Sequence, residues 1–389
     1  MPKYTFSAPC LLGIEGLVGN ELRFLGAEEV SPENGRVIFK GDFEMMARAN
    51  ICSRYAERIQ ILMGEFEALS FEELFQGVKA LPWEKFISKT DAFPVKGRSL
   101  SSKLHSIPDC QKIIKKAVVE RLKEKYMLPW FEETGAVHQI QFLILKDRVS
   151  VMIDTSGAGL HKRGYREKAN DAPIKETLAA ALAEISGVRK NHVVADPMCG
   201  SGTILIEAAL KAKNIAPGIN RYFSAEKWSQ IPSYIWKEER KRAKESEREG
   251  CTFRGYGYDI DREALKTALE NAQKAGVADM IKFEYGDVRK FRCPEERCTV
   301  ITNPPYGERL LDLKSAEELY KVLGENYKHT PDIRYTVISP DDDFEKCFGR
   351  KADKRRKLYN GMIKCQVYMY GVKKKQALIL CTKFAGDEN

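Results

Sequence analysis

Four consecutive residues, Asn303-Pro304-Pro305-Tyr306, combine what is needed to make an aromatic amine react. Such an amine is a poor nucleophile because its lone pair is delocalised into the ring. The Asn303 side-chain oxygen and the Pro304 carbonyl can each accept one N–H, drawing the nitrogen toward tetrahedral geometry and aiming its lone pair at an electrophile. Neither proline has an N–H and each fixes its own φ, so the loop is rigid. Tyr306 can stack on an unpaired base, an interaction of roughly 1–3 kcal/mol. The plainer alternative is a proline-rich turn with a packing tyrosine.

A second run, Asp196-Pro197-Met198-Cys199-Gly200-Ser201-Gly202-Thr203, supplies a place for a partner reagent. His192 to Asp196 reads as a short buried strand, and an apolar helix begins at Thr203. The turn between them therefore sits at a strand's carboxyl end, where open α/β sheets bind ligands, and its glycines let ligand atoms approach the backbone. A dinucleotide fingerprint would need glycine at position 205, which is Leu205. Asp196 repels a pyrophosphate but suits an ammonium and a sulfonium centre, the charge profile of S-adenosylmethionine. Asp259, followed by Ile260, ends the next expected strand, where a carboxylate can accept from ribose hydroxyls. Asp261 is placed to cap the helix from Arg262. Asp287, followed by Val288, ends the third, positioned to accept from an adenine amino group; alone it is equally a turn aspartate.

The elements that must position these residues follow from periodicity. From about residue 170, apolar strands alternate with amphipathic helices, the pattern of a parallel sheet covered on both faces. Strands are expected at 192–196, 255–259, 281–285, 300–303 and 335–339, with a closing antiparallel hairpin of 362–370 and 376–383. A Lys-, Arg- and Glu-rich insertion at about 214–250, helical from Ser233, interrupts the rhythm. The first 155 residues read instead as two small α+β units. In the helix expected at 109–125, Ile113, Ile114, Ala117, Val118 and Leu122 share one face, while Lys112, Lys115, Lys116 and Lys123 lie largely off it as a solvated or a nucleic-acid face.

The bulk numbers set bounds. A length of 389 residues implies more than one domain. The ten cysteines show no disulfide framework and read as reduced cytosolic thiols; Cys293 and Cys298 lack the further ligands of a zinc site, so no metal is expected. No apolar run is long enough to span a bilayer, and Glu15 interrupts any signal core, so a cytoplasmic location is expected. The net charge of +9 fits RNA, DNA or another acidic partner.

The run 196–203, together with Asn-Pro-Pro-Tyr-Gly-Glu-Arg-Leu at 303–310, resembles the class I methyltransferases that follow an RNA-binding THUMP domain, and is most similar to the RlmL/YpsC-like guanine-N2 methyltransferases of bacterial 23S rRNA. The resemblance covers nearly the whole chain. It implies an α/β Rossmann-like seven-stranded methyltransferase domain, its sheet mostly parallel with an antiparallel edge hairpin, at 156–389. Before it would stand an α+β ferredoxin-like unit at 1–55 and a THUMP domain at 56–155. It also implies that Pro173, Ile174, Lys175, Glu176 and Thr177 neighbour the cofactor. RNA contacts are expected from Lys96 and Arg98, which look like the THUMP strand that grips RNA, and from Lys162, Arg163, Tyr165 and Arg166, where cations flank an aromatic. The basic run 350–357 reads either as an exposed loop or as a guide for substrate, able to contact phosphate only if it faces the Asn303 pocket.

The implied activity is methyl transfer to guanine N2 in 23S rRNA, with no obligate protein partner evident. Guanine-N2 methylation of tRNA is the alternative, and a non-catalytic ribosome-assembly factor the remote one. DNA adenine methylation shares Asn-Pro-Pro-Tyr but not the RNA-directed N-terminal half, and hydride transfer is weakened by Leu205 and Asp196.

Overall fold

The structure is a computed structural model that describes residues 2–166, 174–306, 313–330, 333–361 and 363–371. It forms two compact units, one of residues 1–164 with 215–247, the other of 165–214 with 248–389.

The first unit runs β1 (Tyr4–Pro9), α1 (Glu15–Leu25), β2 (Glu28–Glu33), β3 (Arg36–Gly41), α2 (Phe43–Cys52), β4 (Gln60–Glu67) and α3 (Phe71–Lys79). It continues with β5 (Val95–Leu100), α4 (Ile107–Tyr126), β6 (Ile140–Leu145) and β7 (Arg148–Asp154). The seven strands make one sheet in the order β2-β3-β1-β4-β7-β6-β5. Only β5 and β6 pair in parallel, and β5 is an edge. Local chemistry sets the helix starts: Asp42 accepts from Met45 N at 2.8 Å and Ser70 from Glu73 N at 3.2 Å, satisfying first-turn donors. The buried face of α4 is Cys110, Ile114, Ala117, Val118 and Leu122, with Ile113 at its margin rather than inside.

The second unit contributes α5 (Glu176–Ile185), β8 (Val193–Asp196) and α6 (Thr203–Lys213) before the insertion, which carries α7 (Ser233–Glu245). After it come β9 (Arg254–Asp259), α8 (Arg262–Lys274), β10 (Ile281–Tyr285), β11 (Cys298–Thr302), α9 (Leu313–Lys328), β12 (Arg334–Ser339), α10 (Phe344–Phe348), β13 (Lys354–Asn360) and β14 (Ile363–Tyr370). Their order is β10-β9-β8-β11-β12-β14-β13. All pairings up to β12 are parallel, and β14 runs antiparallel to both neighbours. Central strands β8 and β11 are buried throughout, as parallel strands covered on both faces must be. This is the seven-stranded Rossmann-like sheet, and the chain reverses direction across it between β8 and β11.

Two expectations need correction. The hairpin partner of β14 is β13, not 376–383, and those later residues lie outside the described residues. The basic run 350–357 is a loop only in its first half: 350–353 are irregular, and Lys354-Arg355-Arg356-Lys357 begin the edge strand. Charged side chains on an edge strand deter pairing with another chain, and they erase the apolar alternation that would have marked it. The insertion, though interrupting the second unit in sequence, folds into the first. There Trp228 stacks on His138 at 4.2 Å, and Arg48 holds the buried Glu239 of α7 with two hydrogen bonds of 2.8 and 2.7 Å.

Candidate functional site

The reversal between β8 and β11 is the point at which open α/β sheets bind ligands, outside the strands' carboxyl ends. The register pairs Ala195 with Val300, so Asp196 and the residues after Thr302 leave the sheet side by side. Asp196 is 1% exposed and accepts from Met198 N at 3.1 Å. Burial pushes its carboxyl up to about 7, with the nearby Asp259 carboxylate adding to the rise.

Asp259 ties the loop after β8 to the end of β9. One oxygen accepts from Gly200 N at 2.8 Å and the other from Asp261 N at 3.0 Å, while Cys199 N donates to Tyr258 O at 2.9 Å. Each carboxylate oxygen keeps a second lone pair for a ligand hydroxyl. Asp261 caps α8 through Glu263 N at 2.9 Å. The loop's two glycines do different jobs. Gly200, at φ +50°, has open space where a side chain would stand, leaving the backbone approachable. Gly202, at φ +77°, faces Ala268 and Phe283, which a Cβ would meet at 3.0 Å. Pro197, Cys199, Ser201 and Thr203 are buried and Met198 packs against the sheet core, so the loop is a rigid floor.

Ile260 projects beside this floor and is 64% exposed, an apolar surface free to lie against a flat ring. Asp287 accepts from Arg289 N at 2.9 Å and from its guanidinium at 3.2 Å; that backbone N–H and the guanidinium hold its carboxyl below the usual range. The Val288 side chain is buried in the sheet core and its carbonyl accepts from Asn326, so contact with a cofactor would fall to its backbone N–H.

Pro173 lies outside the described residues. Arg166 donates to Ile174 O at 3.0 Å, to buried Glu176 at 2.9 Å and to Thr203 Oγ1 at 3.4 Å. The segment 174–176 is thereby gathered onto the start of α6, with Lys175 half-buried and Thr177 fully buried behind it.

That duty revises the expected RNA contacts. Arg166 is engaged within the protein, and Arg163, 6% exposed, donates to the carbonyls of Leu160 and Arg54. Tyr165 is 4% exposed with its hydroxyl on Glu207 at 3.0 Å, so its ring cannot stack on a base. Lys162 remains exposed, as do Lys96 and Arg98 on the edge strand β5, where alternation sends both to the same face.

At the other lip, the Asn303 Oδ1 is shielded from solvent and has no hydrogen-bond partner among the described residues. A buried acceptor left unsatisfied costs about 1–3 kcal/mol, so this oxygen is available to a donor brought by a ligand. Pro304 is buried and Pro305 half-buried. The Tyr306 hydroxyl accepts from Asn360 Nδ2 at 2.7 Å and also meets the Cys365 thiol, so both its hydrogen-bonding roles are used within the protein and only the ring remains for a substrate. Asn360, at the turn between β13 and β14, is a site residue that local motif reading misses; its one signal is the Asn-Gly turn pair at 360–361. The hairpin is anchored by stacked rings, Phe344 on Tyr368 at 4.4 Å and Phe348 on Tyr370 at 4.2 Å. No group of three or more metal-ligating side chains occurs among the described residues.

Comparison with known proteins places three family models along the chain: an RlmL ferredoxin-like domain over residues 5–60, a THUMP domain over 68–154 and an RMKL-like methyltransferase domain over 163–369. The putative RNA methyltransferase YpsC of Bacillus subtilis is 43% identical over 95% of this chain and 96% of its own. The ribosomal RNA large subunit methyltransferase K/L of Psychromonas ingrahamii is 33% identical over 96% of this chain, which spans about half (51%) of that relative. Among solved structures, SMU.472, a putative methyltransferase complexed with SAH, matches with a TM-score of 0.90 and 42% identity, covering 96% of this chain and 99% of its own.

Proposed function

The chain belongs to the RMKL-like methyltransferase family, with RlmL ferredoxin-like and THUMP domains before the catalytic one, and from that premise we propose that it transfers a methyl group from S-adenosylmethionine to the exocyclic N2 of a guanosine in 23S rRNA. The observation that carries the reading is the orphaned Asn303 Oδ1 beside the loop after β8. The cofactor is supported by that loop's open Gly200 and buried Asp196, and by a structural relative complexed with SAH. The large-subunit rRNA substrate is supported by the K/L relative.

When bound, S-adenosylmethionine supplies a methyl group activated by its sulfonium charge. Asp259 and the Gly200 backbone would hold the ribose side, Ile260 would offer its apolar surface to the adenine, and Asp196 would balance the ligand's positive charge. Asn303 Oδ1 and the Pro304 carbonyl each accept one N–H of the target amine and direct its lone pair toward the methyl group. Tyr306 stacks on the base through its ring. No strong base is needed, because the nitrogen becomes acidic once alkylated and gives up its proton readily. Deproteinised 23S rRNA should accept labelled methyl groups at a rate well above tRNA; the reverse preference would favour the tRNA alternative.

Asn360 acts through Tyr306, and a double-mutant cycle can isolate that link. Asn360→Ala and Tyr306→Phe should each raise KM for RNA by roughly 2- to 10-fold, with the double variant no worse than Tyr306→Phe alone, because both remove the same Asn360–Tyr306 hydrogen bond and Tyr306→Phe also removes the Cys365 contact. Multiplying losses would show that Asn360 serves some other purpose.

Asp196 gives the reaction a pH signature. Its folded pKa of about 7 lies above the ordinary carboxyl value of 3.8, so the fold favours the neutral form, and the stability lost by keeping it protonated in the fold grows as pH rises from about 4 to 7. A cationic ligand reverses that preference. Binding should release a proton near neutrality, and affinity should fall as pH drops below about 7. Titration calorimetry in buffers of unlike ionisation enthalpy reads the proton directly, and equal heats in all buffers at about pH 6.5 would rule out this role.

A further inference from the structure

The insertion brings a third arginine to a loop that already has two. Arg221 donates to Ala158 O at 2.6 Å, Gly159 O at 2.9 Å and Lys162 O at 3.0 Å. Arg58 donates to Gly157 O and to the buried Asp154 carboxylate, and Arg163 to Leu160 O. Three guanidinium groups thus converge on residues 157–162, and exposed Lys162 adds a fourth cation. Burial, and then the charges of Arg163 and Arg58, bring Arg221 down to about 10, with Asp154 opposing. Cations are gathered so closely only at a cost that a bound anion relieves.

The arrangement is also poised for a ligand. The carbonyl contacts fix the planes of Arg58 and Arg221, yet each keeps N–H groups with no partner among the described residues. A fork held in place loses little freedom when it takes a phosphate. Directly after Arg221, Tyr222 is 85% exposed, an aromatic face held out into solvent with Arg240 at 6.0 Å from its ring.

We propose that Arg58, Arg221 and Tyr222 form an RNA-holding site in which the two guanidinium groups take a backbone phosphate and the Tyr222 ring takes a neighbouring unpaired base. The inference rests on the RNA-directed reading above and adds a place on the first unit where the RNA is held. A stacking platform beside fixed cations suits single-stranded loops, whose bases are free to splay, better than a paired helix. It also gives the insertion a purpose within the unit it joins.

The test uses the full chain and a fluorescent single-stranded oligoribonucleotide of about ten nucleotides, within the span such platforms cover. Tyr222→Ala should weaken binding roughly tenfold or more, with cofactor affinity unchanged, and Tyr222→Phe should restore it. Arg58→Gln should reduce the slope of log affinity against log salt by about 0.7, the loss of one phosphate contact. Tyr222→Ala binding RNA within about twofold of the parent would overturn the proposal, since a lost stack costs more. If the parent binds and methylates RNA while Tyr222→Ala matches it, only this site fails. If the parent binds cofactor but no RNA, the RNA reading fails and this site with it.

Discussion

Asn303→Ala is expected to lower kcat by about 10²–10³-fold while cofactor affinity stays within about twofold of the parent, the size of effect seen when one oriented polar group is removed from a reacting centre. The reason is local. Asn303 Oδ1 is buried without a partner among the described residues just after β11, and the loop proposed to accept the cofactor begins at the end of β8. Removing the oxygen takes away one of two acceptors that pull the amine toward tetrahedral geometry, but none of the contacts to the cofactor. The same change should leave thermal stability unaltered or raise it, because an unsatisfied buried acceptor costs about 1–3 kcal/mol in the resting protein. Lower turnover together with equal or higher Tm is a combination that a structural role for Asn303 does not produce. Single-turnover methylation and a thermal melt measure both, and unchanged turnover would remove Asn303 from the mechanism.

Asp259→Ala should have the opposite profile, raising the Kd for cofactor by about 100-fold, which two lost hydrogen bonds to a charged group at about 1.5–3 kcal/mol each can supply. The carboxylate has two tasks: it accepts from Gly200 N and Asp261 N at 2.8 and 3.0 Å, and its remaining lone pairs are proposed to receive the ribose hydroxyls. Asp259→Asn keeps one acceptor oxygen and should fall between the parent and the alanine variant. Equilibrium binding, with the melt of the cofactor-free protein as a control, separates a collapsed loop from lost ligand contacts. Unchanged affinity in Asp259→Ala would contradict the assignment of this strand end to the ribose.

Much of the catalytic unit is legible in the sequence because its signals are local. Strand β8, the glycine turn and α6 are contiguous, and Asn303 to Tyr306 carry their chemistry within four residues. Asp259 and Asp261 are told apart by one capping rule, and the structure gives Asp261 its cap. What sequence reasoning misplaces depends on partners far along the chain. The run from His161 to Arg166 has the composition of a nucleic-acid contact, but Arg163 reaches the carbonyl of Arg54 and Tyr165 reaches Glu207. A cation next to an aromatic reads the same whether it meets a phosphate or a carbonyl of its own protein. Strand β13 is hidden because an edge strand needs charge more than alternation. Asn360 meets Tyr306 across 54 residues, and the Asn-Gly pair at 360–361 signals a turn but not that contact. The insertion reads as part of the catalytic unit by position, yet Trp228 and Glu239 pack it into the other.

The central claim concerns the atom that receives the methyl group. Incubating the protein with methyl-labelled S-adenosylmethionine and deproteinised 23S rRNA, then digesting to nucleosides, reads that atom directly. The account predicts label in N2-methylguanosine, reduced by about 10²–10³-fold in Asn303→Ala. Label confined to N6-methyladenosine would keep the amine chemistry but refute the guanine assignment, and label on a ring carbon or a ribose oxygen would contradict the mechanism itself.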